Sequence, residues 1–111
     1  VRATVRDLLA AGNPAAARSV AAGAVAAKPD DRDLRRLLLE AACMAKDWKR
    51  VVAEARLLEP FRDGEEPSMF YAAVGLFETG SRDEARPLME RAQPRIAATP
   101  FVSYYAERIL K

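Results

Sequence analysis

The stretch FYAAVGLFETGSRDEARPLMERA, from Phe70 to Ala92, decides how the rest of the chain is interpreted. Apolar residues recur at helical spacing on both sides of a short break at Gly80. They are Met69, Ala72, Ala73 and Leu76 before the break, and Ala85, Leu88, Met89 and Ala92 after it. Gly80 can end a helix in a left-handed conformation at little cost, and Ser81 with Glu84 has the spacing of a capping box. The stretch predicts a hairpin of two helices, which is too small to bury both apolar stripes without neighbours.

A step of 34 residues links this hairpin to two earlier parts of the chain. From Gly80 the step leads back to Lys46 and then to Gly12. Positions after the break are apolar in all three parts. They are Ala85, Val51 and Ala17; Met89, Ala55 and Ala21; and Ala92, Leu58 and Ala24. Self-similarity at a fixed period in this range is typical of stacked helical repeats.

A 34-residue helix-turn-helix with a small residue early in its second helix resembles the tetratricopeptide repeat (TPR), and the resemblance covers essentially the whole chain. It implies an all-α fold, a helical-hairpin repeat solenoid of seven helices in a single domain. Three TPR-like repeats would occupy about 1–31, 32–66 and 67–99, and a C-terminal capping helix 100–111. The sequence departs from the family at the first-helix signature, whose positions hold no aromatic residue. They are Val1, Thr4, Val5 and Leu8; Arg35, Leu38, Leu39 and Ala42; and Met69, Ala72, Ala73 and Leu76.

Turn chemistry predicts where the other helices begin and end. Helices are expected over 1–11, 15–28, from the Asp30–Asp31 turn to about 45, 48–59, 68–79, from 82 onward and over 101–110. The expected N-caps are Asn13, an Asp of the pair at 30 and 31, Asp47 and Thr99. Pro87 removes a hydrogen bond to the Asp83 carbonyl and is expected to kink the sixth helix.

Two segments, the 60–67 loop and the last helix, each have more than one structural interpretation. The acidic loop 60–67, PFRDGEEP, lacks the alternating oxygen donors of a calcium-binding loop, so a solvated connector is the better interpretation. The last helix is in register with the first helices of the hairpins, because Ala106 follows Ala72 by the same step. It either opens a fourth unit or is a terminal cap that shields the last apolar face.

Length, net charge and the lengths of the apolar runs limit the class of protein. At 111 residues the chain is long enough for one domain. The formal charge of +2 neither requires nor excludes a nucleic-acid partner, and none is expected. No run approaches twenty apolar residues, so no membrane span is expected. Because the chain opens on Val1 inside a helical pattern, we interpret it as a segment of a longer protein.

The residues for catalysis are largely missing. There is no histidine, and the one cysteine, Cys43, lies among apolar neighbours where a packing role is favoured over a reactive one. The five glycines stand apart from one another, so no phosphate-binding loop is expected. Asp83 and Glu84 lie at a helix start, where acids stabilise the helix. We expect no enzyme, no cofactor and no metal site.

In the family that the chain resembles, the first helix of each unit lines a concave groove. Carried onto this sequence, the groove positions are Arg2, Arg6, Arg36, Glu40, Phe70, Val74, Phe77, Tyr104 and Arg108. The resemblance thus implies a groove that is basic toward the N-terminus and aromatic toward the C-terminus, which suits a peptide with acidic and hydrophobic residues. Two alternatives stay open, namely that Phe70 and Phe77 pack under the last helix and that the arginines form an ordinary solvated face.

The leading functional hypothesis is a non-catalytic protein–protein interaction module that binds a peptide or partner segment in this groove. The second is a self-assembly or scaffold segment of a larger repeat protein. A catalytic or nucleic-acid-binding domain is the third and the least favoured. These rankings depend on fold-level analogy.

Overall fold

The computed structural model describes residues 1–111 as seven α-helices without any strand. The helices are α1 (Arg2–Ala10), α2 (Pro14–Ala27), α3 (Arg32–Met44), α4 (Trp48–Leu58), α5 (Glu66–Glu78), α6 (Arg82–Ala92) and α7 (Pro100–Ile109), and a 3₁₀ turn, Gln93–Arg95, follows α6. The all-α class and the number of helices are confirmed. None of the helices combines the length and the apolar character needed to cross a bilayer.

Four of the predicted N-caps are confirmed. In each, the side-chain oxygen accepts a hydrogen bond from the backbone amide three residues later. The donor amides and distances are Ala16 at 3.4 Å for Asn13, Leu34 at 3.1 Å for Asp31, Arg50 at 3.4 Å for Asp47 and Val102 at 3.2 Å for Thr99. These short-range contacts place the starts of α2, α3, α4 and α7.

The predicted capping box at α6 is wrong. Ser81 occupies the N-cap position but its side chain makes no capping hydrogen bond. The Glu84 carboxylate instead accepts a hydrogen bond from Arg56 of α4 at 2.6 Å. An ion pair with a different hairpin has replaced the local contact.

The turns that follow α1, α3 and α5 have the same geometry. Gly12, Lys46 and Gly80 lie 34 residues apart and have φ values of +75°, +58° and +90°. The amide of each donates to a carbonyl three residues earlier, at 3.1, 3.0 and 3.1 Å. The amide of the next residue donates to a carbonyl five residues before it, at 2.9, 2.9 and 2.8 Å. Both bonds satisfy carbonyls at the end of a helix.

The helices pack in chain order, and one further set of contacts organises them. Each α-helix packs on the next, and α1, α3, α5 and α7 also contact one another in series. The even-numbered helices α2, α4 and α6 make no comparable contacts with one another. The odd-numbered helices therefore form a continuous surface, which we call the odd-helix face.

The core consists of two clusters of buried side chains that meet at α3. The smaller cluster joins α1, α2 and α3 and includes Val5 and Leu38. The larger extends from α3 to α7 and includes Leu39, Met69 and Ile109. The third hairpin follows its predicted stripes, with Leu88 half-buried and the other members buried. In the first hairpin, by contrast, Val1 and Thr4 of the predicted stripe are exposed.

Two expectations about the segment between α4 and α5 need adjustment. The 60–67 segment is only partly a solvated connector, because Phe61 and Glu65 are buried there. Helix α5 starts at Glu66, two residues earlier than predicted. Helix α6 continues through Pro87 and gives way to the 3₁₀ turn that contains Pro94.

Candidate binding groove

One line of polar contacts crosses three odd-numbered helices. Arg6 of α1 donates a hydrogen bond to Glu40 of α3 at 2.9 Å. The hydroxyl of Tyr71, on α5, lies 3.5 Å from the other oxygen of the same carboxylate. Burial and the charge of Glu40 raise the pKa of Tyr71, which keeps its hydroxyl protonated and able to donate. Glu40 therefore sits at the middle of a bridge across the odd-helix face.

This bridge borders a pocket of about 270 Å³, which we call the polar pocket. Its lining residues are Arg2, Arg6, Asp33, Arg36, Leu37, Glu40, Pro67, Ser68 and Tyr71. Three arginines face two carboxylates, so the lining carries a formal charge of +1. Four of the predicted groove residues, Arg2, Arg6, Arg36 and Glu40, are brought together here.

The arginines of the polar pocket are engaged rather than free. Arg2 lies 3.5 Å from Asp33, and the Nε of Arg36 donates to the Ser68 hydroxyl at 2.9 Å. Arg2 and Arg6 nevertheless keep 59% and 63% of their side-chain surface exposed. The end of the groove that was expected to be simply basic is therefore a mixed surface, on which exposed arginines are held by neighbouring acids.

A more buried ion pair, between Arg32 and Glu65, lies outside the lining of the polar pocket at the starts of α3 and α5. The Nε and one terminal nitrogen of Arg32 each donate to a different oxygen of Glu65 at 2.7 Å, and the Arg62 amide donates to Glu65 at 2.8 Å. These contacts, led by the Arg32 bond, lower the pKa of Glu65 from 4.5 to about 2. Arg32 also donates to the Leu58 carbonyl at 2.7 Å. The start of α5 is thereby attached to the start of α3.

The predicted aromatic end of the groove is mostly covered. Phe70 and Val74 are 2% and 0% exposed, and Phe77 is half-buried. The ring of Phe70 meets that of Phe101 edge-on at 5.6 Å. Phe70 and Val74 thus do not lie on an open surface, because Phe101 of α7 packs on Phe70 and Val74 belongs to the larger core cluster. Of the two alternatives for Phe70, packing under the last helix is the one found.

Tyr104 and Arg108 are the groove positions of α7 that remain exposed. Tyr104 keeps half of its surface accessible. The Arg108 guanidinium lies 3.5 Å from the centre of the Tyr104 ring, a cation–π contact. These two side chains therefore present a flat cationic and aromatic surface at the far end of the odd-helix face.

A second pocket, of about 200 Å³, lies next to the polar one, and we call it the apolar pocket. It is lined by Pro67, Phe70, Tyr71, Ile96, Ala97, Thr99, Phe101 and Val102. Pro67 and Tyr71 line both pockets, so the two adjoin. Sequence reasoning missed Ile96, Phe101 and Val102. The 34-residue step from Pro67 to Phe101 was a usable signal for the last part of this wall.

The remaining chemistry on this face is limited. Cys43 is 1% exposed, and burial raises the pKa of its thiol to about 12, so it remains protonated and a poor nucleophile. No group of three or more acidic, cysteine or histidine side chains is placed to hold a metal ion.

Comparison with known protein families, with curated proteins and with solved structures finds no match for this chain. The arrangement itself, two adjoining pockets of different character, is the basis for a functional hypothesis.

Proposed function

We propose that the chain is a TPR-like domain that acts as a non-catalytic protein–protein interaction module. Three helical hairpins would form a short solenoid, and α7 would cap it. The equivalent left-handed turns at Gly12, Lys46 and Gly80 support this architecture, as does the serial packing of the odd-numbered helices. The ligand would be a peptide or partner segment bound along the odd-helix face.

The observation that carries the proposal is the pair of adjoining pockets. The polar pocket offers exposed arginine groups with a net positive lining, and the apolar pocket offers Ile96, Phe101 and Val102. An extended segment with an acidic side chain for the first pocket and an aliphatic side chain for the second would complement both. The ligand class is therefore an acidic and hydrophobic peptide segment.

Polar residues on the outer faces of α1 and α7 support the docking candidate. On α1, Asp7 occupies the position of Ala41 and Gly75, which are buried in the next two hairpins. On α7, Ser103 and Glu107 occupy the positions of Met69 and Ala73, which are buried against a second helix. Burying an unpaired carboxylate is costly. The role of α7 as a terminal cap therefore fits its residues better than the start of a fourth unit.

Self-assembly is the second candidate, and one surface favours it. Val1, which is 64% exposed, borders an open recess with Ala3, Ala24, Ala27 and Leu34. An apolar recess at one end of the molecule could receive a second copy. Light scattering over a range of concentrations separates the candidates. A constant monomer mass supports docking, whereas a mass that rises with concentration supports self-assembly.

A fluorescein-labelled decapeptide of alternating glutamate and leucine is a suitable probe for docking. We expect Arg36→Ala to weaken its binding about tenfold, because charge-assisted hydrogen bonds to the acidic side chain are lost. Lys49→Ala is the matched control, since it removes one positive charge from an exposed position on α4. Fluorescence anisotropy titrations measure both. An equal effect of the two variants, or no binding by the unmodified protein, would overturn the proposal.

A further inference from the structure

Two Arg–Glu pairs on neighbouring elements differ in how firmly they are held. Arg32 and Glu65 are joined by two bonds of 2.7 Å, with 23% and 8% of their side chains exposed. Arg6 and Glu40 are joined by one bond of 2.9 Å, and Arg6 is 63% exposed. Two-point, shielded pairs are stronger and more rigid than one-point pairs in water. Arg32 is therefore a fixed part of the fold, whereas Arg6 can exchange its partner.

The position of Glu40 decides what such an exchange would mean. Its side chain is 21% exposed, and its carboxylate lies between Arg6 on α1 and Tyr71 on α5, where Glu40 lines the polar pocket. An arriving carboxylate that binds the Arg6 nitrogen facing Glu40 must replace Glu40, and one that binds the other nitrogens of the guanidinium must approach the negative charge of Glu40. Because Glu40 belongs to the same molecule, it competes at a high effective concentration. Glu40 accepts one hydrogen bond from Arg6. A ligand carboxylate can displace it by accepting two hydrogen bonds from the same guanidinium.

We propose that Glu40 is a built-in competitor that occupies Arg6 until an acidic ligand displaces it, and that it thereby sets the affinity of the polar pocket. This inference rests on the proposed function, because it assigns Glu40 a role at the same site. In the bound state the ligand carboxylate takes the guanidinium of Arg6, while Glu40 keeps the Tyr71 hydroxyl as its donor. No bond other than hydrogen bonds and ion pairs changes.

The proposal makes Glu40 act through Arg6, and a double-mutant cycle tests that directly. The proteins are the unmodified chain, Glu40→Gln, Arg6→Ala and the double variant, each titrated with the glutamate–leucine decapeptide. We expect Glu40→Gln to tighten binding of the peptide about three- to tenfold, because the ligand no longer competes with the Glu40 carboxylate for Arg6. In the Arg6→Ala background the same substitution should change the affinity by less than about twofold.

Glu78→Gln is the matched control. Glu78 is an exposed acid on α5 that accepts a hydrogen bond from Tyr105 at 3.1 Å and lines neither pocket. Removing its charge should leave the affinity within about twofold, so a general effect of net charge is separated from the effect of Glu40. Thermal melts of all variants identify any loss of folding.

The outcomes distinguish the role of Glu40 from the proposed docking function. A gain in affinity that appears with Arg6 and disappears without it supports the role of Glu40. An unchanged or weakened affinity for Glu40→Gln, or a gain that persists without Arg6, overturns that role and leaves the docking proposal intact if the unmodified protein binds. Absence of binding by every protein overturns the proposed function, and this inference falls with it.

Discussion

At the scale of single residues, Gly75 marks a close approach between α5 and α4. A Cβ atom at this position would overlap Cγ1 of Val51 on α4 and would lie 2.8 Å from its Cβ. Val51 is β-branched and fully buried, so it cannot move aside easily. We expect Gly75→Ala to lower the free energy of unfolding by about 1–3 kcal/mol, which urea denaturation measures.

Gly23 provides the matched control for that substitution. It lies within α2, and a Cβ atom there would meet nothing within 4 Å. Gly23→Ala should raise the free energy of unfolding by about 0.5–1 kcal/mol, because alanine restricts the unfolded chain and favours helix. Similar changes in both variants would contradict the close contact between α4 and α5.

Glu65 makes stability depend on pH. Its pKa is lowered from 4.5 to about 2 in the folded protein, chiefly by Arg32. The ionised carboxylate therefore stabilises the fold above about pH 5, and this contribution of about 3 kcal/mol is lost as the pH falls toward 2. Urea denaturation at a series of pH values measures it.

The variant Glu65→Gln should be less stable than the unmodified protein at pH 7 and should lose less stability between pH 5 and pH 2. Glu90→Gln is the control, because Glu90 is exposed on α6 and forms no ion pair. If Glu65→Gln had the same pH dependence as the unmodified protein, the Arg32–Glu65 pair would not be the cause.

Residue-scale features were predictable where their partners are local. Asn13, Asp31 and Asp47 cap helices through amides three residues away; the sequence predicted Asn13 and Asp47, and for the third cap it left Asp30 and Asp31 open. Glu84 was assigned to a local capping box, but Arg56, 28 residues earlier, takes it. A local rule cannot anticipate a partner that only the tertiary packing brings near.

At the scale of elements, α7 determines which predicted groove residues are accessible. Its register with the other odd-numbered helices could be derived from the 34-residue step, but its distance from α5 could not. Ring contacts between α5 and α7 bury Phe70, and the same helix brings Phe101 and Val102 to the apolar pocket. The sequence thus located an aromatic end of the groove, where Phe70 is covered and Tyr104 is exposed, but it did not name Phe101 or Val102.

Phe101 provides the test at this scale. It is 38% exposed and lines the apolar pocket, so Phe101→Ala should weaken binding of the glutamate–leucine decapeptide about five- to tenfold through lost apolar contact. Leu57→Ala is the control, because Leu57 is 63% exposed on α4 and lines neither pocket of the groove. Fluorescence anisotropy compares them. Equal losses would argue against a role for the apolar pocket.

At the scale of the whole molecule, the helices are organised by three similar turns spaced 34 residues apart and by the serial contacts of the odd-numbered helices. Three turns with the same hydrogen bonds set the hairpins, and contacts among the odd-numbered helices leave one face for both pockets. The order of the helices was predictable because the residues that form each turn are close together in the sequence. The sequence named Glu40 as a groove position, but its ion pair with Arg6 and that of Asp33 with Arg2 were not predictable, because packing of α1 on α3 brings these residues together.

The most direct test of the central claim is NMR chemical-shift mapping with the glutamate–leucine decapeptide. We expect the largest changes at the backbone amides of Arg6, Arg36, Tyr71 and Phe101, along the odd-helix face, and little change on α4. Changes centred on α2 and α4 or on the recess beside Val1, or no changes at saturating peptide, would contradict the account.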